Sequence, residues 1–464
     1  MNEKNKSNEK VNSIYFIGIG GIGMSALARY FHSKGTAVSG YDKTPSSLTK
    51  ELEHEGMSIH YEERVDLIPK DAELVVYTPA VPKEHEELVY YQQNGYKVVK
   101  RSDVLQIATE SSFNICIAGT HGKTTITTMV AHLLRHTGYG CNAFLGGISV
   151  NYGTNFWPSE KNVSVVEADE YDRSFLKLSP DMAVITAMDA DHLDIYGNEK
   201  AMQDSFIEFS GKIKSDGILF IKEGLARMEE FSAPKRITYS LKESADIMVD
   251  NIRMMNGYYI FDVKVDDELI EDVALNMGGL HNVENASVAI GVARQLKIET
   301  EAIKSAVEDF RGVKRRFEYI IKKKHLVYID DYAHHPEELG TLLKSAMNLF
   351  PGMHCTVIFQ PHLFTRTRDL ADDFAKTLGI ANEVIVLPIY PARELPIPGV
   401  TAEIITGKMK NENVRILDKK MVIDYMKEKL SKKEVHDHLF ITAGAGDIDN
   451  LVEQIKQILS SSKI

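Results

Sequence analysis

Cysteine is scarce in this chain, with three residues among 464, at Cys116, Cys141 and Cys355. They lie far apart, and their odd number and spacing exclude a disulfide framework and a paired-cysteine metal site. Cys116 and Cys355 stand in apolar, strand-like runs, so we expect them to be small core residues. This cysteine usage favours a reducing cytoplasm.

Two other absences narrow the class of protein. No apolar run approaches the roughly 20 residues of a membrane-spanning helix, and residues 1–13 lack the apolar core of a secretory signal. Positive charge is not in excess, because 54 Lys and Arg face 66 Asp and Glu, for a net charge of −12. We therefore expect no broad affinity for nucleic acid, and an anionic ligand would need local cations or a metal.

What the chain does contain is an alternation of short β-branched runs with longer helical patterns, which predicts α/β domains with parallel sheets. A length of 464 residues corresponds to about three domains at roughly 150 residues each. Changes in pattern near residues 110 and 318 predict domains at 1–110, 111–317 and 318–464. After about Arg236 the pattern favours an antiparallel excursion.

Polar clusters follow directly on many of the predicted strands. In the second and third domains the clusters read THGKTT, EADEYD, DADHLD, DYAHHP, QPHLFTRT, YPARE and GAGD. Open α/β sheets bind ligands beyond the carboxyl ends of their strands. We therefore expect the chemistry of this protein to reside in these clusters.

The first glycine-rich motif has the form G-x-G-x-x-G between a strand and a helix. Its glycines are Gly18, Gly20, Gly21 and Gly23, and Asp42 follows at the end of the next strand. Such a loop lets the backbone approach a pyrophosphate, which the helix N-terminus stabilises. The motif alone fits NAD, the diphosphate of a nucleotide sugar, or a tight turn with no ligand.

A second glycine-containing loop resembles a shortened phosphate-binding loop between a strand and a helix. It comprises Gly119, Thr120, His121, Gly122, Lys123, Thr124 and Thr125. Lys123 is expected to reach the β- and γ-phosphates of a nucleotide, and the Thr124 hydroxyl to reach Mg²⁺. A cation at a helix N-terminus opposes the helix dipole unless an anion lies there.

Two acidic segments follow later strands of the same domain. The first places Glu167, Asp169, Glu170 and Asp172 within six residues, and the second, 189–194, contains His192. Clustered carboxylates repel one another, and a divalent cation relieves that cost. The sequence therefore predicts a metal site near Glu167 and His192.

Together these motifs resemble the Mur ligase family. The resemblance rests on GIGGIGMSALA, GTHGKTT, EADEYDRSF, DADHLDIYG, GGLHNVENA, GVKRRFE, DDYAHHP, QPHLFTRT, YPARELPIPGV and GAGD, which occur in that order over almost the whole chain. It implies a Rossmann-like N-terminal domain, a central P-loop ATPase domain and a Rossmann-like C-terminal domain. It further implies a cytoplasmic enzyme of peptidoglycan precursor synthesis, and hence of cell wall biogenesis, that forms an amide at the expense of ATP.

Three motifs, DDYAHHP, FTRT and YPARE, are most similar to the members that join L-alanine to the lactyl carboxylate of UDP-N-acetylmuramate through an acyl phosphate. The resemblance assigns the first glycine loop to that UDP-sugar rather than to NAD. It implies Mg²⁺, for which Mn²⁺ can substitute. We expect no nucleic-acid partner, and both a monomer and a homodimer are compatible with the sequence.

The resemblance also implies roles for individual residues. UDP-substrate binding falls to Gly18, Gly20, Gly21, Gly23, Met24, Ser25 and Asp42. ATP binding falls to residues 119–125 together with His281, Asn282, Asn285, Arg316 and either Asp330 or Asp331. Metal binding falls to Thr124, Glu167 and His192, and amino-acid binding to Tyr332, His334 and Arg366. The reaction itself would depend on Lys123, His192, His334 and Arg316.

Two positions depart from the family pattern. Leu363 stands where many relatives carry Arg, which removes a positive charge near the amino-acid end, and Tyr171 stands where many have Ser. The alternatives that follow are a recycling ligase that joins a murein tripeptide to the same UDP-sugar, an NAD-dependent oxidoreductase, and a regulatory P-loop ATPase.

Overall fold

The computed structural model describes residues 11–189, 193–242, 244–392, 394–431 and 437–461. Its first sheet has five strands in the order β3-β2-β1-β4-β5, and every pairing is parallel. The strands are β1 (Ser13–Ile17), β2 (Ala37–Tyr41), β3 (Ser58–His60), β4 (Leu74–Tyr77) and β5 (Val98–Lys100). The helices are α1 (Ile22–Ser33), α2 (Ser47–His54), α3 (Glu86–Gln93) and α4 (Arg101–Thr109). This strand order is that of a Rossmann-like half, as predicted.

The second sheet has ten strands in the order β15-β14-β13-β12-β11-β10-β6-β9-β7-β8. The strands are β6 (Phe113–Ala118), β7 (Asn142–Phe144), β8 (Phe156–Trp157), β9 (Val163–Glu167), β10 (Met182–Ile185), β11 (Ile218–Lys222), β12 (Lys235–Ser240), β13 (Ile247–Met255), β14 (Tyr258–Val265) and β15 (Glu268–Leu275). The helices are α5 (Lys123–His136), α6 (Leu193–Tyr196), α7 (Glu199–Ser210), α8 (Leu280–Gln295) and α9 (Thr300–Asp309).

The prediction of antiparallel pairing after Arg236 is wrong for β12 and for the start of β13. Strand β12 pairs parallel with β11, and the start of β13 pairs parallel with β12. Within this excursion, the β-branched and aromatic residues of 258–270 divide into β14 and the start of β15. Alternating apolar residues mark a strand but not its direction, so the pattern could not distinguish these pairings.

The third sheet has six strands in the order β16-β17-β21-β18-β19-β20, and only its first pairing is antiparallel. The strands are β16 (Glu318–Lys323), β17 (Leu326–Asp331), β18 (His354–Phe359), β19 (Glu383–Val386), β20 (Val414–Ile416) and β21 (His438–Ala443). The helices are α10 (Pro336–Leu349), α11 (Phe364–Asp369), α12 (Ala371–Leu378), α13 (Glu403–Thr406), α14 (Lys419–Ser431) and α15 (Val452–Ser461). The three sheets confirm the predicted α/β fold class.

The chain divides into two compact units. The first comprises Met1–Met248, Val263–Leu269 and Asn285–Ala306, and the second comprises Val249–Asp262, Ile270–Glu284 and Val307–Ile464. The three-domain boundaries near 110 and 318 remain a prediction.

Within the first unit, α1 packs against strands β7 and β8 of the second sheet. The Tyr30 ring lies 5.3 Å from the ring of Phe144 and 5.9 Å from that of Phe156. The buried Arg29 guanidinium beside it donates to Asn155 and to both oxygens of Glu55. The first two sheets therefore share one apolar core, which fixes the first glycine loop relative to the second. Within the described part of the chain, no helix is long and apolar enough to cross a membrane.

Candidate active site

The loop between β6 and α5 requires glycine at two positions. Gly119 has φ +129°, and a Cβ atom there would overlap Oγ1 of Thr186 and lie 2.9 Å from the nitrogen of Ala187. Gly122, which precedes α5, has φ +79°. Because L-residues avoid these angles, both glycines are needed for the loop to bend over the end of β6. Its conformation leaves Lys123 and Thr124 at the start of the helix.

Lys123 lies in a polar cradle of its own unit. Its ammonium donates to the carbonyl oxygen of Gly119 at 2.7 Å and to Oε1 of Glu170 at 2.6 Å. Burial raises the pKa of Glu170, and the Lys123 charge opposes that shift. The Tyr196 hydroxyl donates to the Glu170 carbonyl oxygen at 2.6 Å, which fixes the backbone of the acidic segment.

Thr124 and Glu167 form the pair expected to hold a metal. The Thr124 hydroxyl donates to Oε1 of Glu167 at 3.0 Å, and the Gly146 amide donates to Oε2 at 3.1 Å. A hydroxyl and a carboxylate are hard oxygen ligands that suit Mg²⁺, which usually completes its shell with water and substrate phosphate. Among the described residues no group of three His, Cys, Asp or Glu forms a metal cage, and His192 lies outside those residues.

Each carboxylate of the first acidic segment has a partner from this chain. Asp169 accepts from Arg101 at 3.3 Å, and Asp172 pairs with Lys100 at 3.2 Å, in addition to the Lys123 and Thr124 contacts already described. Side-chain cations therefore provide much of the charge relief for which the sequence suggested a metal alone. The signal that could have identified them is the Lys100-Arg101 pair at the end of the strand-like run YKVVKR.

Other residues of the predicted nucleotide loop face the end of β10. The exposed His121 ring pairs with Asp189 at 3.3 Å, and the Asp189 amide donates to Oγ1 of Thr120 at 3.2 Å. Thr125 is buried in α5. A Cβ atom on Gly122 would lie 3.1 Å from Oδ1 of Asn285, so this amide faces the loop.

Two further residues predicted to bind ATP, His281 and Asn282, belong to the second unit. Asn282 is buried and donates to the Gly278 carbonyl oxygen at 2.6 Å, while His281 is exposed and packs over Gly279. Asn285 is the member of this motif that the first unit contains.

The first glycine loop is fastened by Asp42. The Gly20 amide donates to Oδ2 of Asp42 at 2.8 Å, and a Cβ atom on Gly20 would lie 2.8 Å from the same oxygen. Gly18, at φ +85°, makes the turn after β1, and Gly21 precedes α1. The Asp42 carboxylate therefore holds the loop by its backbone.

Met24 and Ser25, predicted to contact a UDP substrate, are buried in α1. The Ser25 hydroxyl donates to the Ile22 carbonyl oxygen at 2.9 Å and accepts from Nδ2 of Asn155 at 2.9 Å. Both side chains thus take part in packing α1 within the first unit.

In the second unit, two consecutive aspartates end β17; Asp330 is buried and Asp331 is partly buried. Oδ2 of Asp331 accepts from the Phe317 amide at 2.6 Å and Oδ1 from the Ala333 amide at 2.7 Å. Burial raises the pKa of Asp331 to about 6 and that of Asp330 to about 7. Asp331 therefore fixes the backbone beside Arg316, whose own side chain is exposed.

The three residues predicted for the amino-acid end lie close together around His362. The rings of His334 and His362 are 5.9 Å apart, and Nη1 of Arg366 lies 3.5 Å from Nδ1 of His362. Tyr390 stacks on His362 with ring centroids 5.8 Å apart. Sequence reasoning missed both His362 and Tyr390, although each stands in a motif that it singled out.

Tyr332 and Leu363 frame this cluster. The exposed Tyr332 ring lies under the guanidinium of Arg315 at 5.3 Å, and Nδ1 of His334 contacts the Tyr332 carbonyl oxygen at 3.0 Å. Leu363 precedes α11 with φ +72°, a backbone angle that leucine rarely adopts. The chain thus turns sharply at the position where it departs from the family pattern.

Comparison with known proteins gives matches along most of the chain. Residues 13–112 match the Mur ligase family, catalytic domain, residues 117–293 match the Mur ligase middle domain, and residues 315–446 match the Mur ligase, glutamate ligase domain.

Individual relatives match over nearly their full length. A UDP-N-acetylmuramate–L-alanine ligase of Flavobacterium psychrophilum is 47% identical over 97% of this chain and 98% of its own. A protein of the same name from Parabacteroides distasonis is 48% identical, with the same coverage. The crystal structure of a UDP-N-acetylmuramate-alanine ligase from Thermotoga maritima superposes with TM-score 0.82 at 29% identity, covering 97% of this chain and all of that one. The chain belongs to the Mur ligase family.

Proposed function

We propose that this protein joins L-alanine to the lactyl carboxylate of UDP-N-acetylmuramate, with conversion of ATP to ADP and phosphate. Near full-length identity of 47–48% to proteins named for that activity carries the proposal. A murein peptide ligase from Psychrobacter arcticus shares the fold at TM-score 0.65 and 21% identity, well below the alanine ligase match. The comparison thus favours L-alanine over a tripeptide as the second substrate.

The proposed chemistry begins with two anions. The substrate carboxylate attacks the γ-phosphorus of ATP, so an acyl phosphate forms and ADP leaves. Lys123, at the start of α5, would neutralise the γ-phosphate, and Arg316 of the second unit would add a further positive charge. Thr124 and Glu167 would hold Mg²⁺, or Mn²⁺ in its place, which supplies charge neutralisation when bound.

The second step forms the amide bond. The amine of L-alanine attacks the acyl carbon, and inorganic phosphate leaves. The Arg366 guanidinium is suited to the alanine carboxylate because it can donate two parallel hydrogen bonds. His334 is a candidate acceptor for the amine proton. Its Nδ1 contacts the Tyr332 carbonyl oxygen, an arrangement in which a neutral ring protonated at Nδ1 leaves Nε2 free to accept a proton.

The proposal also gives each glycine loop one ligand and places the protein in the cytoplasm. The UDP diphosphate would bind to residues 18–23 and the ATP phosphates to residues 119–125. The three cysteines are unpaired and buried, as is usual for proteins of a reducing compartment. An NAD-dependent oxidoreductase would leave the Lys123 and Glu167 arrangement without a role.

A phosphate-release assay on the purified full chain tests the proposal. ATP, Mg²⁺ and UDP-N-acetylmuramate are combined with L-alanine, glycine, L-serine or the murein tripeptide, and each component is omitted in turn. We expect release only with all substrates present and fastest with L-alanine. Preference for the tripeptide would instead identify a recycling ligase, and release without the UDP-sugar would indicate a regulatory ATPase.

A further inference from the structure

Arg101 contacts two segments to which the proposed function assigns different substrates. It is the first residue of α4, and its Nη2 atom lies 3.3 Å from Oδ2 of Asp169. A Cβ atom on Gly23, the last glycine of the first glycine loop and part of the first turn of α1, would lie 3.0 Å from Nη1 of Arg101. The guanidinium therefore lies between that glycine loop and the acidic segment.

The same side chain lines a small cavity beside the predicted metal-binding pair. Arg101, Glu167 and Asp169 contribute to this cavity of about 10 Å³, enough for one water molecule. Glu167 is the carboxylate that accepts from Thr124. The Arg101 side chain is 22% exposed, so a ligand can reach it from solvent.

Arg101 also retains hydrogen-bonding capacity. A guanidinium carries five N–H donors. Among the described residues, the contact with Asp169 is the hydrogen bond that this side chain donates. Because Asp169 engages Nη2, it orients the planar group and leaves Nε and Nη1 for another acceptor. A guanidinium is well suited to bind a carboxylate through two parallel hydrogen bonds.

We infer that Arg101 binds the reacting carboxylate of the UDP-linked substrate. This inference rests on the proposed function, in which the diphosphate binds at residues 18–23 while the carboxylate must reach the phosphate held by Lys123. Arg101 is a cation that lies beside Gly23 of the first of these segments and lines a cavity with Glu167, the carboxylate that accepts from Thr124. Asp169 acts as the positioning residue that holds the guanidinium.

Two neighbouring ion pairs show what a purely structural role would look like. Lys177 pairs with Asp103 of α4, and Lys100, the residue before α4, pairs with Asp172 of the acidic segment. The side chains of Lys100 and Asp172 are each more than two-fifths exposed, and Lys177 is not among the residues that line the cavity of Arg101 and Glu167. Lys177 therefore offers a matched control on the same helix contact.

Calorimetric titration of UDP-N-acetylmuramate into the full chain, without ATP or divalent metal, tests the inference. We expect Arg101→Met to weaken binding about 10- to 100-fold, the usual range for loss of a charged hydrogen bond. Arg101→Lys should lose less, because one point charge remains. Asp169→Asn should bind at least as tightly as Arg101→Lys, and Lys177→Met should match the wild type. ATP affinity, measured separately, should be unchanged in Arg101→Met.

Three results would count against it in distinguishable ways. Equal affinity of Arg101→Met and wild type for the UDP-sugar would overturn the inference alone. The inference is also overturned if Asp169→Asn, Arg101→Met and Lys177→Met all lose affinity for the UDP-sugar to the same extent. That result would show that these residues only hold α4 in place. Failure of the wild type to bind the UDP-sugar would overturn the proposed function itself. If Arg101→Met does not fold, the affinity of Arg101→Lys for the UDP-sugar, compared with that of the wild type, tests the inference instead, because this variant keeps the charge.

Discussion

Nζ of Lys123 lies 2.6 Å from Oε1 of Glu170, whose side chain has no solvent exposure. The other oxygen of that carboxylate, Oε2, has no hydrogen-bond partner among the described residues. The phosphate-loop lysine is thus balanced by a buried acid three residues after Glu167. The stability of this loop and its proposed chemistry therefore depend on the same pair.

Lys123→Met should remove activity and also destabilise the protein. Without its partner the Glu170 charge is buried and unpaired, which costs about 3–5 kcal/mol at neutral pH. The double variant Lys123→Met/Glu170→Gln should recover most of the lost stability but none of the phosphate release. Urea unfolding and the phosphate-release assay measure the two effects. Equal stability of the single and double variants would contradict the ion-pair explanation.

Gly119→Ala should be far more damaging than Gly153→Ala, although both glycines have positive φ. A Cβ atom on Gly119 would overlap Thr186, whereas nothing lies within 4 Å of one on Gly153. Backbone strain alone costs about 1–3 kcal/mol, and the overlap at Gly119 adds to it. Thermal unfolding midpoints of the two variants compare the costs directly. Similar midpoints would mean that the loop conformation at β6 is not as described.

Asp42→Ala should weaken binding of the UDP-linked substrate without affecting binding of ATP. Loss of the contact at 2.8 Å releases the Gly20 amide and loosens the first glycine loop. We expect KM for UDP-N-acetylmuramate to rise about tenfold, as for loss of one charge-assisted hydrogen bond. Asp66→Ala, at an exposed residue paired with Arg64, is the control and should leave both KM values unchanged. A rise in KM for ATP instead would show that the first glycine loop binds ATP and would contradict its assignment to the UDP-linked substrate.

Arg366→Met should raise KM for L-alanine much more than KM for ATP. The guanidinium lies 3.5 Å from His362 in the cluster with His334, where the alanine carboxylate is proposed to bind. An increase of about 10- to 100-fold corresponds to loss of a charged hydrogen bond. Arg368→Met, at an exposed residue paired with Asp369, provides the control. A larger rise in KM for ATP than in KM for L-alanine would indicate that Arg366 binds the nucleotide instead.

Stability should fall as pH rises through the range in which Asp330 titrates. Burial raises its pKa to about 7, above the unfolded value of about 3.9, so the folded state binds the proton more tightly. Protonated Asp330 therefore adds to the free energy of unfolding at low pH, and this contribution is lost as the pH rises from about 4 to about 7. Asp330→Asn removes this titration, so its unfolding midpoint should depend less on pH across that window. An unchanged slope would show that Asp330 stays ionised, held by Arg315 and Thr442.

Much of the fold could be predicted because its signals are local. The strand predicted before the first glycine-rich motif is β1 (Ser13–Ile17), and the strands that precede the polar clusters were all found. Some strands of two or three residues, such as β3 and β8, were missed because they are too short to show a period. Pairing direction after Arg236 was also wrong, since direction depends on contacts distant in sequence.

The sequence by itself determined the family resemblance, the α/β class and the residue types that chemistry requires: glycines where backbone must bend, Lys123 and Thr124 directly after them, and Glu167 at the end of a later strand. Only the tertiary structure decided which charges meet. It paired Lys123 with Glu170 and Arg101 with Asp169, and it buried Ser25 against Asn155, 130 residues away. Spacing along a chain sets the conformation of a loop, whereas ion pairs depend on which strand ends the sheets bring side by side.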